Sequence, residues 1–279
     1  MLLFKKVGII GTGLIGGSLA WELKKRKLAK EIVGVSRHKQ TIEWALRQGL
    51  INSGSTDLKI VSGADCVVLA TPVRKISEIA KKISGLVDDR CLVTDVGSTK
   101  VEIVKELEPL FAGYIGSHPL AGSERRGVQN ASLGLFQKTL CIITPTPKSR
   151  SWALTKLKRM WQQVGCRVVV FSSEQHDKIV SWVSHLPHAL AFNLIASVPK
   201  KYLPFAASGF RDSSRIAGSD SRLWVDIFLS NSKNICMAID SFQKRLKHLR
   251  FLIYKKDNQR LMYFLRQAQK QYFIYIRDK

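Results

Sequence analysis

Several clusters in this chain combine residue types and spacing that could do chemistry. The first is Gly11-x-Gly13-x-x-Gly16, which follows an apolar run at residues 7–10 and opens a helically spaced stretch at 14–25. Glycine permits a tight turn at position 11, close backbone approach to a pyrophosphate at 13, and tight helix-on-strand packing at 16. The helix N-terminus beginning at Leu14 and Ile15 then turns its free N–H groups and positive dipole end toward the phosphates. A second apolar run ends in Val35-Ser36-Arg37-His38-Lys39-Gln40-Thr41, about 20 residues after Gly16, as a dinucleotide site requires. An acid there would accept from the ribose hydroxyls of NAD, and none is present. Ser36 and Thr41 can donate to a 2′-phosphate and Arg37 can offer its planar fork, so NADP is favoured over NAD. The plainer reading, Arg37 stacked on adenine with Lys39 solvated, stays open.

Three further clusters are polar. Asp95-Val96-Gly97-Ser98-Thr99-Lys100 follows an apolar run, and Ser98 or Thr99 could also cap the next helix. Gly116-Ser117-His118-Pro119 places a histidine at the ligand edge, where it could serve as general acid or base. Ser184-His185-Leu186-Pro187-His188 lies in a helical stretch upstream of Gly209-Phe210-Arg211-Asp212-Ser213-Ser214-Arg215. His185 and His188 could ligate a metal. No Asp or Glu joins them at ligand spacing and Pro187 distorts the turn, so no metal site is expected.

These residues need a scaffold. Apolar strand-like runs at 64–72, 91–98, 111–119, 139–144 and 167–171 alternate with helical stretches near 75–83 and 151–164. That alternation predicts an α/β, doubly wound parallel sheet of Rossmann type. Ligands of such sheets bind beyond the carboxyl ends of the strands, where Thr71, Pro72, Ser98 and His118 fall. After residue 172 strand alternation stops and helical periodicities run at 174–197, 222–251 and 257–275. The expected division is therefore a dinucleotide-binding domain at 1–172 and an all-helical domain at 173–279, whose apolar helices predict a homodimer.

Composition narrows the classes further. The 279 residues, 45% of them hydrophobic, are enough for two globular domains. No uninterrupted apolar run approaches a membrane span, and the five cysteines lack metal-ligand spacing and read as reduced core thiols of a cytoplasmic protein. The formal charge of +24 raises nucleic-acid binding. It is spread along the chain, however, and where it thickens after Lys244 it alternates with leucines as on a solvated amphipathic helix. Without a recognition motif, neither nucleic acid nor membrane is an expected partner.

The segments GTGLIGGSLA, DVGSTK, GSHPLAGSERRGV, VSHLPHALAF and GFRDSSRIAGSDSRLW, in this order, resemble the prephenate and arogenate dehydrogenase family of tyrosine biosynthesis. The resemblance runs from about residue 6 to at least 250. It implies a Rossmann domain followed by a helical dimerisation domain. It also implies oxidative decarboxylation of prephenate, or of arogenate, with hydride passing to NAD(P). His118 matches the catalytic histidine, Ser98 the serine that orients it, His188 the reader of the side chain and Arg215 the carboxylate-binding arginine. Ser123, Ser184 and Trp224 match further substrate-pocket positions.

Some positions depart from the family's pattern. Ala207-Ser208-Gly209-Phe210 replaces a Gly-Gly-Gly-Phe turn, Val225 replaces an arginine, and the stretch from His188 to Arg215 is short. Ser36-Arg37 is shared with arogenate-selective, NADP-using members that lack the histidine matching His188. The mixture leaves both substrates open, with His188 favouring the keto acid prephenate. From its ends the chain is expected to carry neither a chorismate mutase domain nor an ACT-type domain, so tyrosine inhibition would act at the active site. A 3-hydroxyacid dehydrogenase would instead need a catalytic lysine on a helix, and a non-catalytic binding module would not need Ser98, His118, His188 and Arg215.

Overall fold

The computed structural model describes residues 2–122 and 127–277. The chain runs β1 (Phe4–Ile10), α1 (Leu14–Lys25), β2 (Ala29–Val35), α2 (Lys39–Arg47), β3 (Ser53–Ser55), β4 (Cys66–Leu69), α3 (Val73–Ile83), β5 (Leu92–Asp95) and α4 (Val101–Leu107). It continues β6 (Gly116–Pro119), β7 (Leu140–Thr144), α5 (Ser151–Gln163), β8 (Arg167–Val170), α6 (Ser173–Val180), a π-turn at Ser181–His185, and α7 (Leu186–Ser197). The last elements are α8 (Ser208–Ser214), α9 (Ser221–Ser230), α10 (Ser232–Tyr254) and α11 (Asn258–Arg277).

Strands pair in the order β3-β2-β1-β4-β5, all parallel. Alternate side chains enter two separate cores: Val7, Ile9, Cys66, Val68 and Leu92 pack on one face, and Ile10, Val67, Leu69 and Val93 on the other. Both faces are therefore covered, as a parallel sheet requires. A bridge between Val93 and Tyr114 leads from β5 to a second sheet, β6-β7-β8. Here β6 runs antiparallel to β7, a departure from the all-parallel expectation. Among the described residues linking these two strands the only helical element is the short turn Val128–Asn130, so no helical crossover restores the strand direction.

Two other local differences have identifiable causes. The short strand β3, Ser-Gly-Ser, carries no apolar signal and forms through pairing with β2. The helix expected at 222–251 is broken at buried Asn231, whose side-chain amide donates to the Asp177 carbonyl at 2.7 Å.

The helix begun by α6 continues through the π-turn and α7 over Ser173–Ser197, and by length and composition alone it could cross a bilayer. Its His176, Asp177 and His185 are buried and hydrogen-bonded within the protein, which is the behaviour of a core helix. Cα packing groups Met1–Ser232 as one unit and Lys233–Lys279 as another. Within the latter, His248 and Arg245 of α10 lie against Phe264 of α11.

Candidate active site

The glycine turn forms between β1 and α1, as its spacing predicts. Gly11 has φ +100, and a Cβ there would collide with the Ala70 carbonyl. A Cβ on Gly16 would strike the Gly11 carbonyl oxygen, whereas Gly13 faces open space. These are the conditions for close strand–helix packing at 16 and ligand approach at 13. Gly11, Gly13, Ser36, Arg37, Thr41, Thr71 and Pro72 line one cleft of about 500 Å³. Leu14, Ile15 and Gly16 form the first turn of α1 and are not among the residues lining it. Among the described residues the Thr12 and Thr71 hydroxyls are buried without protein partners at this cleft. Polar atoms left so are suited to a polar ligand, and the cleft fits a dinucleotide.

The DVGSTK segment forms the loop between β5 and α4. Asp95 and Lys100 are fully buried and form an ion pair. Asp95 also accepts from the Tyr114 hydroxyl and the Gly97 N–H, each at 2.8 Å. Three donors thus meet the carboxylate, as burial of a charge demands. Ser98 is half-buried on the loop so fixed. Neither Ser98 nor Thr99 caps α4. Its first N–H groups are met from 76 residues away by Asp177, which accepts from Lys100 N at 2.7 Å and Val101 N at 3.0 Å. Thr99 instead hydrogen-bonds Ser230.

His118 stands on β6, locked to β5 by Ser117, whose hydroxyl donates to the Asp95 carbonyl at 2.7 Å. It is 8% exposed. Its Nδ1 is 2.8 Å from Nε2 of His176, whose Nδ1 lies 2.8 Å from Asp177 Oδ1. Burial, His176, Lys100 and His185 hold His118 well below the ordinary histidine range. Burial first, then Lys100 and His185, pushes His176 down to about 2, so both rings are neutral. Burial raises the Asp177 carboxyl, against the pull of its backbone N–H donors.

The third cluster forms at the π-turn, a helical irregularity that often marks function. His188 donates from Nδ1 to the Ser184 carbonyl at 2.9 Å and stacks on Trp224 with centroids 3.6 Å apart. Burial lowers its pKa, the Ser184 bond opposes this, and the charge of exposed Arg215 lowers it further. His188 thus contacts Trp224 and the Ser184 carbonyl, and Arg215 lies close enough to act on it electrostatically. Ser123 lies outside the described residues.

His185 is buried against Trp224, with Nδ1 facing the Asn231 amide at 3.3 Å and Nε2 lacking a partner among the described residues. Burial, partly opposed by Asp177, brings it to about 4. The roles of His176 and Asp177 were not visible in the sequence. They follow the Ser172 capping box as an ordinary polar first turn, and only the fold brings them to His118.

Comparison with known proteins agrees along most of the chain. Residues 19–170 match the prephenate dehydrogenase nucleotide-binding domain and residues 172–267 its dimerization domain. The first match starts beyond Gly16, so the glycine turn rests on its own geometry. A prephenate dehydrogenase of Lactococcus lactis is 35% identical, covering 95% of this chain and 76% of its own length. The crystal structure of Aquifex aeolicus prephenate dehydrogenase with hydroxyphenyl propionate and NAD+ superposes with TM-score 0.91 at 36% identity, covering 97% of this chain and 98% of that one. Synechocystis arogenate dehydrogenase gives TM-score 0.85 at 30% identity, over 97% and 99% of the two chains.

Proposed function

The chain belongs to the prephenate dehydrogenase family, and from that premise we propose that it catalyses the oxidative decarboxylation of prephenate to 4-hydroxyphenylpyruvate. One observation carries this reading: His118 is buried and neutral, its Nδ1 turned inward to His176, which leaves Nε2 as the ring nitrogen available to a substrate hydroxyl. When bound, the nicotinamide supplies the hydride acceptor. His118 Nε2 takes the hydrogen bond of the 4-hydroxyl and draws off its proton as carbonyl character develops at C4. The bond between ring and carboxylate breaks, its electron pair completes the aromatic ring as CO2 leaves, and the proton returns to the phenolic oxygen. Ser98 orients the hydroxyl. Arg215 binds a substrate carboxylate, and His188, stacked on Trp224, reads the side chain beside Ser184; Ser123 is a further substrate-binding residue.

The coenzyme site is assigned to NADP. Ser36 accepts from His38 N at 3.3 Å, which leaves its own hydroxyl proton for a 2′-phosphate beside Arg37 and Thr41. Residues 1–172 carry the coenzyme and 173–279 complete the substrate pocket and the homodimer. Exposed Tyr263, Phe273, Ile274 and Ile276 on α11 supply apolar surface for that assembly. The four buried free thiols accord with a cytoplasmic setting.

One observation favours arogenate as a second substrate. With Nδ1 donating to Ser184, the neutral His188 ring presents Nε2 as an acceptor, which suits an ammonium group, while the same ring, once protonated, donates from Nε2 to the keto group of prephenate.

The reading is tested by incubating the protein with prephenate and NADP or NAD: reduced coenzyme and CO2 are expected to appear in equal amounts, and coenzyme reduction without CO2 would exclude it. Arg215→Ala is expected to raise the substrate KM by about 10- to 100-fold, the loss of a charge-assisted hydrogen bond, with a smaller change in kcat. An unchanged KM would move the carboxylate site elsewhere.

A further inference from the structure

We propose that His176 and Asp177 are positioning residues that fix the tautomer of His118 and tie it to the loop carrying Ser98. The inference rests on the assignment of His118 as the proton acceptor, but it concerns how the protein prepares that group.

The order of protons follows from the end of the chain of contacts. Asp177 Oδ1 receives Lys100 N, and Oδ2 receives Val101 N, so both oxygens act as acceptors. The third donor is then His176 Nδ1–H, at 2.8 Å from Oδ1. A neutral His176 carrying its proton on Nδ1 has a bare Nε2. That atom, 2.8 Å from His118 Nδ1, can only accept, so His118 carries its proton on Nδ1. Its Nε2 lone pair is left for substrate. The opposite tautomer would present an N–H to the hydroxyl and could not take its proton.

Burial makes this assignment binding. His176 is 0% and Asp177 1% exposed, so water is not available to complete an alternative arrangement. Lys100, held by Asp95 in the β5–α4 loop, and His185 from the π-turn both lie close enough to act electrostatically on His118 and His176. Among the described residues neither donates a hydrogen bond to the His118 or His176 ring, so the tautomer is set by Asp177 through His176. When His118 takes up a proton, the Nδ1–H bond to His176 polarises toward the carboxylate and stabilises the transient cation. The same carboxylate caps α4, so one side chain holds both the histidine and the start of the helix that follows Ser98. Asp177 is thereby common to the two groups that meet the hydroxyl.

The test uses the full-length protein with His176→Phe, which removes the acceptor, and His176→Gln, whose side-chain oxygen can replace it. Imidazole ¹⁵N–¹H correlation spectra of the coenzyme-free protein report the His118 tautomer directly, and steady-state kinetics report its consequence. The wild type is expected to show His118 protonated on Nδ1. His176→Phe is expected to lose that tautomer as the sole form and to lower kcat by on the order of 100-fold with KM within about threefold. His176→Gln is expected to recover the tautomer and most of kcat. A wild-type His118 protonated on Nε2, or a folded His176→Phe protein with unaltered tautomer and kcat, would overturn the proposal. Because the spectra need no turnover, an Nδ1–H wild type that oxidises neither prephenate nor arogenate would remove the functional reading while leaving the tautomer assignment in place.

Discussion

His118→Asn is expected to lower kcat by about 10²- to 10⁴-fold, the range for loss of a positioned proton acceptor, while coenzyme affinity changes by less than about twofold. Asparagine can still donate to His176 from near the Nδ1 position, so the surrounding network survives. It has no basic nitrogen at Nε2, so the hydroxyl proton has nowhere to go. The wild-type pH profile carries the same signature. Only neutral His118 accepts a proton, and burial together with His176, Lys100 and His185 depresses its pKa. Activity is therefore lost as pH falls through a value below the ordinary histidine figure of about 6.5, and kcat should still be near its plateau at that pH. An acid limb centred above it would mean that His118 is not held neutral by its surroundings.

Lys100→Met is expected to cost about 3–5 kcal/mol of stability, the range for removing one partner of a buried ion pair. Lys100 and Asp95 are both 0% exposed, and without the ammonium Asp95 retains only Tyr114 and the Gly97 N–H. At this chain length that corresponds to roughly 10 °C in Tm. Denaturant unfolding of Lys100→Met, Asp95→Leu and the double variant separates the causes. The double variant should be more stable than Lys100→Met, because it leaves no unpaired buried charge. Strict additivity of the two losses would contradict the pairing.

Local physics made much of the scaffold readable. The α1 boundaries at Leu14 and Lys25 follow from glycine on one side and helical spacing on the other, and the ends of β4 and β5 follow from apolar runs meeting Thr71-Pro72 and Gly97-Ser98. Likewise the Ser36-Arg37 end of the second strand lies in the glycine cleft because parallel strands bring their carboxyl ends to one edge. What escaped the sequence depends on partners far along the chain. Asp177 caps α4 across 76 residues in place of the expected Ser98 or Thr99, and Asn231 breaks a helical periodicity to reach Asp177. No short window contains either contact. His176 carried no signal of its own either, since a histidine in a polar first turn is ordinary until the fold buries it against His118.

The most direct measurement of the account as a whole is the set of four steady-state assays pairing prephenate and arogenate with NAD and NADP. The account predicts turnover of prephenate with loss of CO2, a higher kcat/KM with NADP than with NAD, and smaller but measurable turnover of arogenate. Folded protein that turns over neither substrate with either coenzyme would contradict it.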